Sequence, residues 1–171
     1  MKWLNISNCL SILRIILVFP IAYLLSDNYN LAAFIVSLIA ISTDFFDGYF
    51  ARKLHQESEL GKILDPLADK ILIAAIVLTL LFKGTFPLWL VIVIIGRDLL
   101  ILTGGLLLSA KMKNVTPSNI YGKITMFILC LTVSVFILEI DILKEIFIIL
   151  STIFIAISFI SYFLIFLKYK K

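Results

Sequence analysis

The chain has 171 residues, 62% of them hydrophobic and 15% charged, with a formal net charge of +4 and a mean hydropathy of +1.13. No water-soluble domain of this size hides that much apolar surface, so lipid is the solvent for most of its exterior. Helices satisfy their own backbone hydrogen bonds in lipid, and the sequence lacks the alternation of a barrel. The expectation is an all-α integral membrane protein forming a single domain over residues 1–171.

A bilayer-crossing helix needs about 20 mostly apolar residues. Six segments qualify. The first covers 8–26, lacks a small-residue cleavage site behind it, and is read as a retained span closed by "SDNYN". The second covers 30–53 and carries Asp44 and Asp47 near its end. The third covers 60–82, with Asp65 and Asp69 near its start. "KGTFP" separates it from a fourth at 86–109, and "KMKNVTPSN" leads to a fifth at 118–138. "EIDILKE" precedes the sixth, at 143–167, which ends in "KYKK".

The basic residues test this count. With the N-terminus in the cytoplasm, the inner segments hold Lys2, Arg52, Lys53, Lys62, Lys111, Lys113, Lys168, Lys170 and Lys171, whereas the outer segments hold Lys83 and Lys144. That asymmetry fits six transmembrane helices with both termini cytoplasmic. The positive charge therefore reads as topology and attraction to anionic membrane lipids. The basic residues form no stripe, so no nucleic-acid partner is expected. Cys9 and Cys130 have no metal-ligand spacing and read as apolar fillers, and His55 lies in a polar link as solvated surface.

Four aspartates within 44–70 stand apart from this greasy background. Ionisable groups at membrane depth are expensive and mark function. Asp44 and Asp47 are three apart, and Asp65 and Asp69 four apart, so each pair shares one face of a helix. Gly48 and Ala51 keep the first of those faces free of bulk. The link "RKLHQESELGK" folds the second and third spans into a hairpin whose carboxylates meet at the cytoplasmic edge. Four like charges repel unless a cation intervenes, and an oxygen-only set suits a hard divalent ion, Mg2+, Mn2+ or Ca2+; the expected cofactor is Mg2+ or Mn2+, with four aspartates enough for two ions. Such ions beside Arg52, with Gly48 and Gly61 permitting close approach to the backbone, suit a lipid diphosphate. Pro66 either opens the third helix or kinks it.

The run Asp44-x2-Asp47-Gly48-x2-Ala51-Arg52-x8-Gly61-x3-Asp65-x3-Asp69 matches, without gap or substitution, the signature of the CDP-alcohol phosphatidyltransferases. "LNISNCLSILRIILVFP" also resembles that family's first helix, and six helices is the family's number. The resemblance implies that an alcohol attacks the β-phosphorus of a CDP-linked lipid such as CDP-diacylglycerol, and that CMP leaves. It implies metal binding by Asp44, Asp47, Asp65 and Asp69, with Asp69 as the catalytic base. It also implies that Gly48, Ala51, Arg52 and Gly61 line the cytidine diphosphate pocket, and that the protein is a homodimer.

The acceptor pocket is expected within "GRDLLILTGGLLLSAKMKNVTPSNIYGKITM". Arg97 and Lys123 there suit a small phosphorylated alcohol. The Arg97–Asp98 pair and Gly122-Lys123 resemble the bacterial phosphatidylglycerophosphate synthases, which implies glycerol 3-phosphate as acceptor. Thr103-Gly104-Gly105-Leu106 stands where many of those enzymes have Thr-Gly-Leu-Arg. An Arg-Asp pair also resembles the cardiolipin synthases, whose acceptor is phosphatidylglycerol, and inositol phosphate is a third possibility. Asn8, Ser11 and Arg14 share one helical face. Two readings stand for them: bordering the nucleotide pocket, or tying the first helix to the second. An intramembrane cation transporter accommodates the aspartates but leaves Gly48, Arg52 and Gly61 unexplained. A UbiA-like prenyltransferase normally has more spans and more widely separated motifs.

Overall fold

The computed structural model describes the backbone over residues 6–53, 61–111 and 119–169, and side chains over 8–43, 67–103 and 119–164. Six helices follow in order: α1 (Ile6–Ser26), α2 (Asn30–Lys53), α3 (Gly61–Phe82), α4 (Leu88–Lys111), α5 (Ile120–Ile137) and α6 (Asp141–Tyr169). No strand occurs among the described residues. Each expected span corresponds to one helix, with ends displaced by no more than two residues. Pro66 lies inside α3, which begins at Gly61, and α1 continues through Pro20. Asn8–Ser26, Ile120–Ile137 and Asp141–Leu164 are long and apolar enough to cross a membrane, and Asn30–Thr43 is a shorter apolar stretch, among the described residues.

The burial pattern inverts that of a water-soluble bundle. Phe19, Phe82 and Ile142 are 74%, 86% and 86% exposed, while Asn8, Ser11, Arg14, Ser37, Arg97, Asp98, Thr125, Thr132, Ser151 and Ser158 are buried. In lipid the apolar exterior costs nothing, and polar groups move inward to find partners.

The chain divides into two compact units. The first holds α1, α2 and α3, with residues Ile137–Glu139. Here α1 packs against both α2 and α3. Ala33, Ser37 and Ala40 form a buried small-residue stripe on α2, which lets a neighbouring backbone approach closely. The inward side of α1 is polar in its first half (Asn8, Ser11, Arg14) and apolar in its second (Ile21, Leu25). On α3, Ala68, Leu72, Ile76, Val77 and Leu80 are buried.

The second unit holds α4, α5 and α6. Phe86 and Phe136 are both buried, with ring centroids 4.5 Å apart. The inward stripe of α4 starts apolar at Leu90 and Ile94 and ends charged at Arg97 and Asp98. Antiparallel α5 and α6 meet at hydroxyls: Thr125 Oγ1 is 3.0 Å from the Phe154 carbonyl, and Thr132 Oγ1 is 3.3 Å from that of Phe147. Asn119 caps α5, its Oδ1 accepting from the Tyr121 N–H at 3.1 Å, while its Nδ2 donates to Ser161 Oγ at 2.9 Å.

The turns after α1, α3 and α5 share one device. Asn28, Gly84 and Glu139 have φ of 63°, 76° and 54°. The next residue's N–H then bonds back five positions: Tyr29 to Leu24 O at 2.8 Å, Thr85 to Leu80 O at 3.1 Å, and Ile140 to Val135 O at 3.1 Å. These are Schellman-type caps, which satisfy orphan carbonyls and end each helix. Lys83 Nζ lies 3.2 Å from Asn30 Oδ1 and 3.8 Å from Glu139 Oε1 in the first unit.

Two glycine substitutions test this account. Gly84→Ala forces a Cβ into the left-handed region and costs about 1–2 kcal/mol. Gly96 lies inside α4, and a Cβ built there meets nothing within 4 Å, so Gly96→Ala gains about 0.5–1 kcal/mol from reduced backbone entropy. Thermal unfolding in detergent should lower the midpoint for the first and leave or raise it for the second. Equal shifts would contradict the assignment.

Candidate active site

Positions three apart on a helix share a face, so α1 turns Asn8, Ser11 and Arg14 inward together. Arg14 is completely buried. Its Nη1 donates to Oδ1 of Asp69 on α3. The two residues lie equally far from the starts of their helices, about 12 Å along each axis at the helical rise. That match of depth fits α1 and α3 entering the bundle from the same end. The side chain of Arg14 is 0% exposed and that of Asp69 35%, so the carboxylate, not the guanidinium, meets whatever enters from outside. The sequence left Arg14 between a nucleotide contact and a tie to α2; the structure gives it a partner on α3. Asn8, Ser11 and Lys70 are also engaged in interactions.

Asp69 is the one member of the expected metal set whose side chain is described. Asp44 and Asp47 lie on α2, and Asp65 on α3, so both pairs keep the one-face spacing on helical backbone. Their side chains, with those of Gly48, Ala51, Arg52 and Gly61, lie outside the described residues, as does the link 54–60 with His55. Among the described residues no group of three or more His, Cys, Asp or Glu side chains converges.

In the second unit, Arg97 and Asp98 are both buried. Arg97 Nη1 donates to Asp98 Oδ1 at 2.6 Å and lies 3.5 Å from Met126 Sδ, while Nη2 donates to Ser158 Oγ at 3.0 Å. Its Nε has no hydrogen-bond partner among the described residues. Arg97 is thus anchored from its own helix and from α6. Lys123, by contrast, is exposed, one turn before Met126 on α5. Beside it, Gly122 is buried against α6: a Cβ there would sit 2.7 Å from Tyr162 Oη. Ser158 and Tyr162 are contacts the sequence did not flag. Their only signal is polarity at a four-residue spacing within an apolar helix.

The profile of one protein family, CDP-alcohol phosphatidyltransferase, matches residues 4–163. Among curated relatives, the CDP-diacylglycerol–glycerol-3-phosphate 3-phosphatidyltransferase of Aquifex aeolicus is 37% identical over 143 residues, covering 82% of this chain and 78% of its own. The like-named enzyme of Bacillus subtilis is 42% identical over 110 residues, covering 64% of this chain and 56% of its own. That of Rickettsia felis is 32% identical over 176 residues, covering 96% of this chain and 97% of its own.

The contrast between Arg97 and Lys123 gives a stability prediction. Breaking a buried ion pair by removing one partner costs about 3–5 kcal/mol. Arg97→Leu takes a cation from buried Asp98 and a donor from Ser158, so its thermal midpoint in detergent should fall well below wild type. Lys123→Ala should leave the midpoint unchanged. A neutral Arg97→Leu would show that the pair contributes nothing to the fold.

Proposed function

Given that the chain belongs to the CDP-alcohol phosphatidyltransferase family, we propose that it transfers the phosphatidyl group of CDP-diacylglycerol to glycerol 3-phosphate, forming phosphatidylglycerophosphate and releasing CMP. The observation that carries this reading is the near full-length match to an enzyme named for that reaction. The chain is a membrane protein, and the basic-residue asymmetry supports a multi-pass arrangement in the cell membrane, with both termini and the active site on the cytoplasmic side. A homodimer belongs to the same reading.

In this mechanism Asp69 takes the proton of the acceptor hydroxyl. The freed oxygen forms a bond to the phosphorus bearing the diacylglycerol, and the bond from that phosphorus to the CMP oxygen breaks. The electron pair leaves with CMP. Asp44, Asp47, Asp65 and Asp69 are the residues that would hold Mg2+ or Mn2+, which when bound neutralises the diphosphate and stabilises the leaving group. Gly48, Ala51, Arg52 and Gly61 cradle the cytidine diphosphate. Asp69, partly exposed while its partner Arg14 is buried, is accessible to a hydroxyl. Lys123 is exposed and has no ion-pair partner among the described residues, which suits capture of the acceptor phosphate. Arg97, buried and anchored to Asp98 and Ser158, contributes a fixed second positive charge.

CMP release from CDP-diacylglycerol by purified protein, measured against a panel of alcohols, tests the reaction. It should require glycerol 3-phosphate, disappear with EDTA and return with Mg2+ or Mn2+. Full turnover in metal-free buffer would remove the metal from the reading. Turnover with phosphatidylglycerol or inositol phosphate instead would keep the family reaction and replace the acceptor.

The acceptor contact is tested separately. A hydrogen bond to a charged group contributes about 1.5–3 kcal/mol, so Lys123→Ala should raise the KM for glycerol 3-phosphate roughly ten- to hundredfold. The KM for CDP-diacylglycerol should hold. An unchanged acceptor KM would make Lys123 an interfacial lysine that meets lipid headgroups.

A further inference from the structure

We propose that Arg14 is a positioning residue for the transfer reaction, acting through Asp69 rather than on either substrate. The inference rests on the reading of Asp69 as the base. Three observations support it. Arg14 donates directly to the Asp69 carboxylate from another helix. Its side chain is 0% exposed while that of Asp69 is 35% exposed, so an entering hydroxyl reaches the carboxylate and not the guanidinium. Arg14 also sits on a buried polar face with Asn8 and Ser11, which holds its stem in one place on α1.

The physical consequence concerns geometry. A carboxylate on a short side chain turns about its Cβ–Cγ bond. A planar guanidinium donating to one of its oxygens fixes that rotation. A general base acts only within hydrogen-bond reach of the proton it takes, and a misplacement of about 1 Å costs up to about 10²-fold in rate. Lysine keeps the positive charge but is a flexible point donor, so Arg14→Lys removes the orientation and leaves the charge.

The test compares wild type, Arg14→Lys, Asp69→Asn and the double variant in detergent, with CMP release expressed per folded molecule recovered by size exclusion. Arg14→Lys should lower kcat about 10–100-fold, while the KM values for CDP-diacylglycerol and glycerol 3-phosphate barely move. Added to Asp69→Asn it should lower kcat no further, because a residue acting through Asp69 has nothing left to orient. Arg14→Gln, which keeps a donor and removes the buried charge, is judged by the same criteria should the lysine variant not fold. Wild-type kcat in Arg14→Lys overturns the proposal, as does a loss that multiplies that of Asp69→Asn. A change confined to the KM for CDP-diacylglycerol overturns it too, and makes Arg14 a nucleotide contact. Absence of CMP release by wild type with every alcohol is a different result, since it removes the assigned reaction itself.

Discussion

A guanidinium buried in a lipid-dissolved bundle has to find an anion, and in the first unit Arg14 finds Asp69. Water does not reach it, and an unpaired charge at that depth costs far more than a single helix contact returns. The pair thereby fixes the register of α1 against α3. It also fixes which end of the unit is polar. Asn8, Ser11 and Arg14 line the first half of α1, whereas Ile21 and Leu25 line the second. A charged site and an apolar anchor are thus divided along one helix.

The second unit applies the same rule differently. Arg97 takes its carboxylate from the adjacent residue, Asp98, and a hydroxyl from Ser158 on α6. The acid that neutralises it comes from its own helix, so this pair fixes a side chain more than it fixes a register. The register of α5 against α6 is carried by threonine hydroxyls at opposing carbonyls and by the buried Gly122 beneath Tyr162. In both units the polar atoms locate the helices, and the apolar atoms face the solvent they prefer.

Much of this was legible in the sequence because its physics is local. Span length, apolar content and polar links set six helices, and the structure moves no boundary by more than two residues. The family followed from eight residues at fixed spacing, confirmed by the profile match over residues 4–163. What was not legible was pairing between distant segments. Arg14 and Asp69 are 55 positions apart, and the periodicity of α1 says only that Arg14 faces inward, not which helix it meets. Likewise nothing in "GRDLL" shows that Ser158 lies against the guanidinium. The left-handed cap at Glu139 carried no glycine or asparagine to announce it, whereas Gly84 and Asn28 are the residue types such turns favour.

The central claim is that an acceptor hydroxyl, deprotonated at Asp69, attacks the lipid-bearing phosphorus and displaces CMP. Isotope tracing tests it most directly: glycerol 3-phosphate carrying heavy oxygen at its free terminal hydroxyl, incubated with the protein, divalent metal and unlabelled CDP-diacylglycerol. The account predicts that the label is retained in the new phosphodiester of the lipid product and is absent from the released CMP. Label appearing in CMP, or lost from the lipid product, would contradict it.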